Sequence, residues 1–263
     1  MLEAMIRLAA EAGKIMLEAE SAEKEIREKE GSANFVTQYD VAVQRFLQQE
    51  CAKIMPQAGF LGEEENSCRM EASGPVFIVD PIDGTTNFIH RYRHSAVSIA
   101  LADKGQVRFG VVCNPYTNEI FSAEKNKGAW RNGRSIQVSQ RSLSQALVCF
   151  GTSPYAPELA EKSFALAKEL FEKAEDIRRS GSAALDLCAV AAGQCELSFE
   201  LTLQPWDFAA AALIVEEAGG KVSRLDGSPL ALLVPNPVLA ANKLCYEEFL
   251  NWREKGKRGN QDE

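Results

Sequence analysis

Apolar residues along this chain recur with two distinct periods, and each period predicts its own element. From residue 1 to about 27, Leu2, Met5, Ile6, Ala9, Ala12 and Met16 fall at helical spacing with Glu and Lys elsewhere, which predicts an amphipathic helix packed on the body. A polar link from Lys29 to Asn34 leads to Phe35-Val36-Thr37-Gln38-Tyr39-Asp40. Val43, Phe46, Leu47, Cys51 and Ile54 then repeat the helical period, and the helix ends before Pro56. Taken alone, Thr37 and Asp40 at its mouth read as a capping pair worth about 1 kcal/mol.

Val76-Phe77-Ile78-Val79 breaks that period with four consecutive apolar residues, which predicts a buried strand ending at Asp80. Pro81 lacks an amide hydrogen and fixes its own φ, so the strand is expected to stop there, with Asp83 arriving on a turn toward Gly84. Ala96 to Ala102, the turn Asp103-Lys104-Gly105, Arg108 to Cys113, Glu119 to Ala123, and Arg131-Asn132-Gly133-Arg134 before Ile136 and Val138 read as an antiparallel meander. Leu147 to Phe150 opens a second half. There follow an amphipathic helix from Glu158 to Lys173, a buried helix from Ala183 to Ala192, a strand from Leu197 to Leu201, and a helix from Pro205 to Glu217 closed by Gly219-Gly220. Lys221 to Ser223 and Val238 to Ala241 are short strands, Tyr246 to Arg253 a last helix, and Lys255 to Glu263 a mobile tail. The alternation predicts an α+β fold of stacked layers in one domain, with an N-terminal half 1–141, a C-terminal half 142–254 and a tail 255–263.

Composition narrows the function classes. With 263 residues and 46% hydrophobic content the chain builds a sizeable core, and its net charge of −8 without a long basic run argues against nucleic acid or an anionic membrane as primary partner. No stretch approaches the roughly twenty apolar residues that span a bilayer. Met1-Leu2-Glu3-Ala4 lacks the basic start of a secretion signal. Seven cysteines without any Cys-x-x-Cys predict neither a disulfide framework nor a zinc site, and suit a reducing cytoplasm. Histidine is confined to His90 and His94, so any metal is expected to be a hard one bound through oxygen.

The candidate chemistry begins at Asp80. Asp80 and Asp83 converge beside the closely spaced backbone N–H groups of Gly84, Thr85 and Thr86, where a short helix would aim its positive end at an anion. Acids next to an anion cradle repel one another unless divalent cations lie between them, the arrangement a metal-assisted phosphatase needs. Asp-Pro or Asp-Gly alone is ordinary turn punctuation, but the whole run on a strand's end is not. Gly62-Glu63-Glu64-Glu65 follows the short apolar segment Gly59-Phe60-Leu61. Two of its glutamates read as a solvated face and one, Glu63, as a partner able to share a cation with Asp80. Gly181-Ser182 is a second possible anion site at a helix start, and Asp207 a first-turn acid that the helix dipole alone would justify. Leu197, Phe199, Leu201 and Leu203 alternate with Ser198, Glu200 and Thr202, so one face of that strand is expected to be buried, with Glu200 on the other, facing either water or a pocket beside Asp207.

These residues resemble the inositol monophosphatase family of magnesium-dependent, lithium-sensitive phosphatases. Asp80-Pro81-Ile82-Asp83-Gly84-Thr85-Thr86-Asn87-Phe88 looks like that family's first signature, and Pro205-Trp206-Asp207 with the Ala-rich helix and Gly219-Gly220 like its second. Gly62-Glu63-Glu64 and Val36-Thr37-x-x-Asp40 fall at the expected spacing upstream. The resemblance implies an alternating α-β-α-β-α sandwich, usually a homodimer, that hydrolyses small phosphate monoesters such as a phosphorylated polyol. It implies two or three Mg²⁺ per site: Glu63, Asp80 and the Ile82 carbonyl on one, Asp80, Asp83 and Asp207 on a second, and Glu63 again on a weaker third. Thr85 with Asp40 would orient and activate the attacking water. The Gly84 and Thr85 amides would bind phosphate, with Asp83, Ser182, Ala183, Glu200 and Asp207 on the substrate, Thr152 near the same pocket and Lys29 near the metals. Leu197 and Thr202 depart from glycines frequent in bacterial members, and Asn34 from a frequent acid. Relatives of the fold act on fructose bisphosphate, NADP, histidinol phosphate or 3′-phosphoadenosine 5′-phosphate, and some members are binding partners in transcription complexes.

Overall fold

The computed structural model describes residues 1–20, 26–28, 35–64 and 74–259. The expectations placed on Lys29, Asn34 and Glu65 lie outside them. In chain order the helices and strands begin α1 (Leu2–Glu18), β1 (Ile26–Glu28), β2 (Phe35–Thr37), α2 (Gln38–Ile54), β3 (Gly59–Gly62), β4 (Val76–Asp83) and α3 (Thr85–Ile89). The meander follows as β5 (Ala96–Asp103), β6 (Gln106–Asn114), β7 (Glu119–Glu124), β8 (Gly128–Arg131) and β9 (Arg134–Ser135). The second half holds β10 (Leu147–Phe150), α4 (Ala160–Phe171), β11 (Asp176–Arg178), α5 (Ala183–Ala191), β12 (Leu197–Leu203), α6 (Pro205–Glu217), β13 (Lys221–Ser223), β14 (Asn236–Ala241) and α7 (Lys243–Gly259).

Period-2 patterning sends alternate residues of the larger sheet into two separate cores. That sheet runs β3-β4-β5-β6-β7-β8-β9. On one face Phe77, Val79, Val97, Ile99, Leu101 and Val111 meet Met5, Leu8 and Met16 of α1 and Val43 and Leu47 of α2. On the other, Val76, Ile78, Ala100 and Val112 meet the small and apolar residues of α5 and α6. Those two helices also cover Cys149, Val238 and Ala240 of the second sheet, ordered β11-β10-β12-β14-β13. Val148, Phe150, Leu197, Phe199 and Leu239 on its far side pack against Leu166 and Leu170 of α4 and Phe249 of α7. The layers are therefore helix pair, sheet, helix pair, sheet, helix pair, an α+β fold in the expected α-β-α-β-α order. No helix among the described residues is long and apolar enough to cross a membrane.

Four sequence expectations need correction. Helix α1 ends at Glu18, well before residue 27, its buried stripe running out with Met16 and the C-cap Ala19. Strand β4 does not stop at Asp80. Its pairing shifts from Asp80 opposite Ser98 to Asp83 opposite Ala96, so two residues oppose one, and Pro81 sits in this bulge where no ladder donor is required. Ile136 and Val138 lie outside any strand, with the meander ending at β9. The last helix continues through Lys255 to Gly259, residues expected in a mobile tail.

Candidate active site

The bulge in β4 is what aims the acids. Ile82 N donates to Asp80 Oδ1 at 2.9 Å, curling the chain so that Asp80 and Asp83 come together across the bulge, both buried. Glu63 follows directly on β3, which runs parallel to β4 with Gly62 opposite Val79, and Glu63 N donates to Val79 O at 3.3 Å. Glu63, just past the end of β3, therefore sits beside Asp80, which lies within β4 at its bulge and not at the strand's end. Glu64 does not lie on a solvated face: it is buried, with its backbone N–H donating to Gln44 Oε1 at 2.8 Å. Asp207 reaches the same point from the first turn of α6, where its Oδ2 accepts from Gln204 N at 2.7 Å. Carboxylate oxygens of Asp80, Asp83 and Asp207 all lie within 4.8 Å of one another.

Such a grouping is electrostatically costly. Burial, then the neighbouring Glu63, Asp83 and Asp207, pushes Asp80 well above the ordinary carboxylate range. Asp207 is raised in the same way, by burial and then by Asp83 and Glu63. Asp83 is pushed up to about 6 by burial against three donors that favour its charge: Ser182 Oγ, Ala183 N at 3.2 Å and Ala184 N at 2.9 Å. Among the described residues Arg179 is the one Lys or Arg side chain lining the cavity. Buried carboxylate oxygens that raise one another in this way form a donor set of the hard kind that Mg²⁺ takes.

Asp40 both caps a helix and belongs to the site. Its Oδ2 accepts from Thr37 N at 2.8 Å and Thr37 Oγ1 at 2.6 Å, closing the capping box of α2. Its Oδ1 lies 3.1 Å from Thr85 Oγ1, which is also 3.1 Å from the Ile82 carbonyl oxygen. Burial pushes Asp40 up to about 6. Gly84, at φ +87°, turns the chain from β4 into α3, and a Cβ there would lie 2.9 Å from Gly181 O, so the two loops meet at glycines.

The anion at the start of α5 is Asp83 itself, gripped by the first amides of that helix. Ser182, Ala183, Gly84, Thr85 and Glu200 line one cavity of about 140 Å³ with Glu63, Asp80, Ile82, Asp83 and Asp207. Glu200 faces the cavity, its Oε1 accepting from Ser153 N and Ser153 Oγ, each at 2.9 Å, and burial pushes it up to about 7. Leu203 was expected to share the buried face of Leu197 and Phe199. A shift in the pairing of β12 with β14 between Glu200 and Leu203 turns it instead toward α5 and α6. Thr152 is not a lining residue, and its Oγ1 accepts from Arg179 Nη2 at 3.1 Å.

Residues 1–257 match the inositol monophosphatase family. The chain belongs to that family. It is 36% identical over 257 residues to Nus factor SuhB of Escherichia coli, covering 97% of this chain and 96% of that protein. It is 38% identical over 228 residues to inositol-1-monophosphatase of Caulobacter vibrioides, covering 84% and 88%. Among solved structures, extragenic suppressor protein SuhB of Bartonella henselae aligns with a TM-score of 0.89 at 34% identity, over 95% of this chain and 96% of that one.

Within this inositol monophosphatase fold, sequence reasoning passed over three cavity residues with polar side chains, Tyr155, Arg179 and Asp186, along with Gly151 and Pro154. Asp186 carried a signal, being the one charged residue in the otherwise small and apolar stretch that forms α5. Tyr155 and Arg179 stand in irregular segments, where no period says which way a side chain points.

Proposed function

We propose that this chain is a Mg²⁺-dependent phosphatase for small phosphate monoesters, with a phosphorylated polyol such as inositol 1-phosphate as substrate. The observation that carries the reading is the convergence of Asp80, Asp83 and Asp207 within 4.8 Å, in a cavity that also exposes Gly84, Thr85 and Glu200. Glu63, Asp80, the Ile82 carbonyl, Asp83 and Asp207 would hold two or three Mg²⁺. Bound there, the ions would neutralise phosphoryl oxygens and lower the pKa of a coordinated water. Thr85 Oγ1 donates to Asp40, which leaves its oxygen lone pair to accept from the attacking water, while Asp40 Oδ1 takes the proton that Thr85 releases. The Gly84 and Thr85 amides orient the phosphate. Glu200, held by Ser153, accepts from substrate hydroxyls, and Ala183 closes the wall beside it.

A hydroxyl-rich substrate fits this floor because both Ser153 donors go to Glu200 Oε1, and a second buried carboxylate oxygen left without a donor would cost about 1–3 kcal/mol. Phosphate release from inositol 1-phosphate, 2′-AMP, fructose 1,6-bisphosphate and p-nitrophenyl phosphate, each with Mg²⁺ and with EDTA, tests the reading. Preferred, EDTA-sensitive turnover of inositol 1-phosphate supports it, and no turnover of any ester overturns it. A second reading, binding to a transcription complex, is favoured by the identity to a protein named as a Nus factor over 97% of this chain. An Asp80→Asn chain that releases no phosphate yet still complements loss of such a factor would separate the two roles.

A further inference from the structure

Asp186 is an acid without a part in the scheme above, yet it is 6% exposed and sits in the first turn of a helix otherwise built from Ala, Leu, Val and Cys. A carboxyl in such a place persists against its desolvation cost only where its hydrogen bonds are needed. Its Oδ1 accepts from Ser180 Oγ at 2.6 Å. Ser180 is the pivot of the turn that starts α5: its hydroxyl oxygen also accepts from Ser182 N at 3.3 Å, and its carbonyl accepts from Asn87 Nδ2 at 2.9 Å. Asn87 spans to His94 O at 2.7 Å, tying this turn to the loop after α3. At the far side of the turn stand Ser182 Oγ, Ala183 N and Ala184 N, all donating to Asp83.

We propose that Asp186 is a positioning residue: by holding the Ser180 hydroxyl it fixes the turn that seats Asp83 on the first amides of α5, and so sets the geometry of the acid cluster. The inference rests on the reading of Asp80, Asp83 and Asp207 as a cation site. Asp186 acts here as a hydrogen-bond acceptor and not as a charge, so an amide in its place serves as well. Burial pushes it up to about 7, which makes the neutral amide a fair mimic near neutral pH.

The test is Mn²⁺ binding to the full chain followed by electron paramagnetic resonance, with urea unfolding of each variant alongside. Asp186→Ala weakens Mn²⁺ binding roughly tenfold, as removal of a group that orients a metal ligand does. Asp186→Asn binds within about twofold of the parent, since its Oδ1 still accepts from Ser180. Ser180→Ala, a milder change, weakens binding in the same direction and decides the matter if Asp186→Ala does not fold. Parent-like binding by Asp186→Ala or by Ser180→Ala overturns the inference, as does an Asp186→Asn loss equal to that of Asp186→Ala. Asp80→Asn is the control: if it binds Mn²⁺ like the parent, the cation site itself is misplaced, whereas its loss alongside a normal Asp186→Ala indicts the positioning role alone.

Discussion

Thr85 Oγ1 stands 3.1 Å from Asp40 Oδ1, a contact between residues 45 apart that joins the mouth of α2 to the start of α3. The same hydroxyl lies 3.1 Å from the Ile82 carbonyl, one of the oxygens assigned to metal. In the proposed mechanism a group so placed matters when water is deprotonated, not when substrate docks. Thr85→Ala is expected to lower kcat roughly 100-fold or more with little change in KM. Steady-state kinetics on inositol 1-phosphate decide it, and a rise in KM with kcat intact would make Thr85 a binding residue.

The cavity floor carries a pH signature. Glu200 is raised by burial from 4.5 to about 7, so between those values the folded chain holds a proton that the unfolded chain has released. The folded state binds more protons there, and stability falls as pH rises through that window. With divalent ions chelated, Glu200→Gln is expected to stabilise the protein on the order of 2 kcal/mol at pH about 8 and to have little effect at pH about 4. Urea unfolding at the two values measures it. An equal effect at both would show that Glu200 titrates normally in the folded chain.

Much of this site was legible because its chemistry is local in sequence. Asp80, Asp83, Gly84 and Thr85 fall within one strand end and turn, and Glu63 follows a parallel neighbour that the short run Gly59-Phe60-Leu61 announces. The layer order followed from two periods of burial. Illegible were features set by pairing across the sheet: the β4 bulge that keeps Pro81 in the strand, and the β12 shift that moves Leu203 to the opposite face from Phe199. The burial of Glu64 depends on Gln44, 20 residues away, and reads from sequence as one more surface acid.

On the proposed function, substrate choice falls to Glu200. Its Oε1 is occupied by both donors of Ser153, while its place on the cavity wall leaves the carboxyl open to substrate hydroxyls. Glu200→Ala is expected to lower kcat/KM for inositol 1-phosphate roughly 10- to 100-fold while sparing p-nitrophenyl phosphate, which lacks those hydroxyls. Equal losses on both esters would assign Glu200 to support of the fold or of the acid cluster.

If the acid cluster holds catalytic Mg²⁺, Asp80 is its sharpest probe, since it is buried against Glu63, Asp83 and Asp207 together. Asp80→Asn keeps the shape of the side chain and the Oδ1 acceptor for Ile82 N while removing the charge. The measurement is the initial rate of phosphate release from inositol 1-phosphate at saturating Mg²⁺, parent against Asp80→Asn. A loss of at least roughly 1,000-fold is expected, with the variant folded by circular dichroism. A variant that keeps most of the parent's rate would contradict a Mg²⁺ role for the cluster.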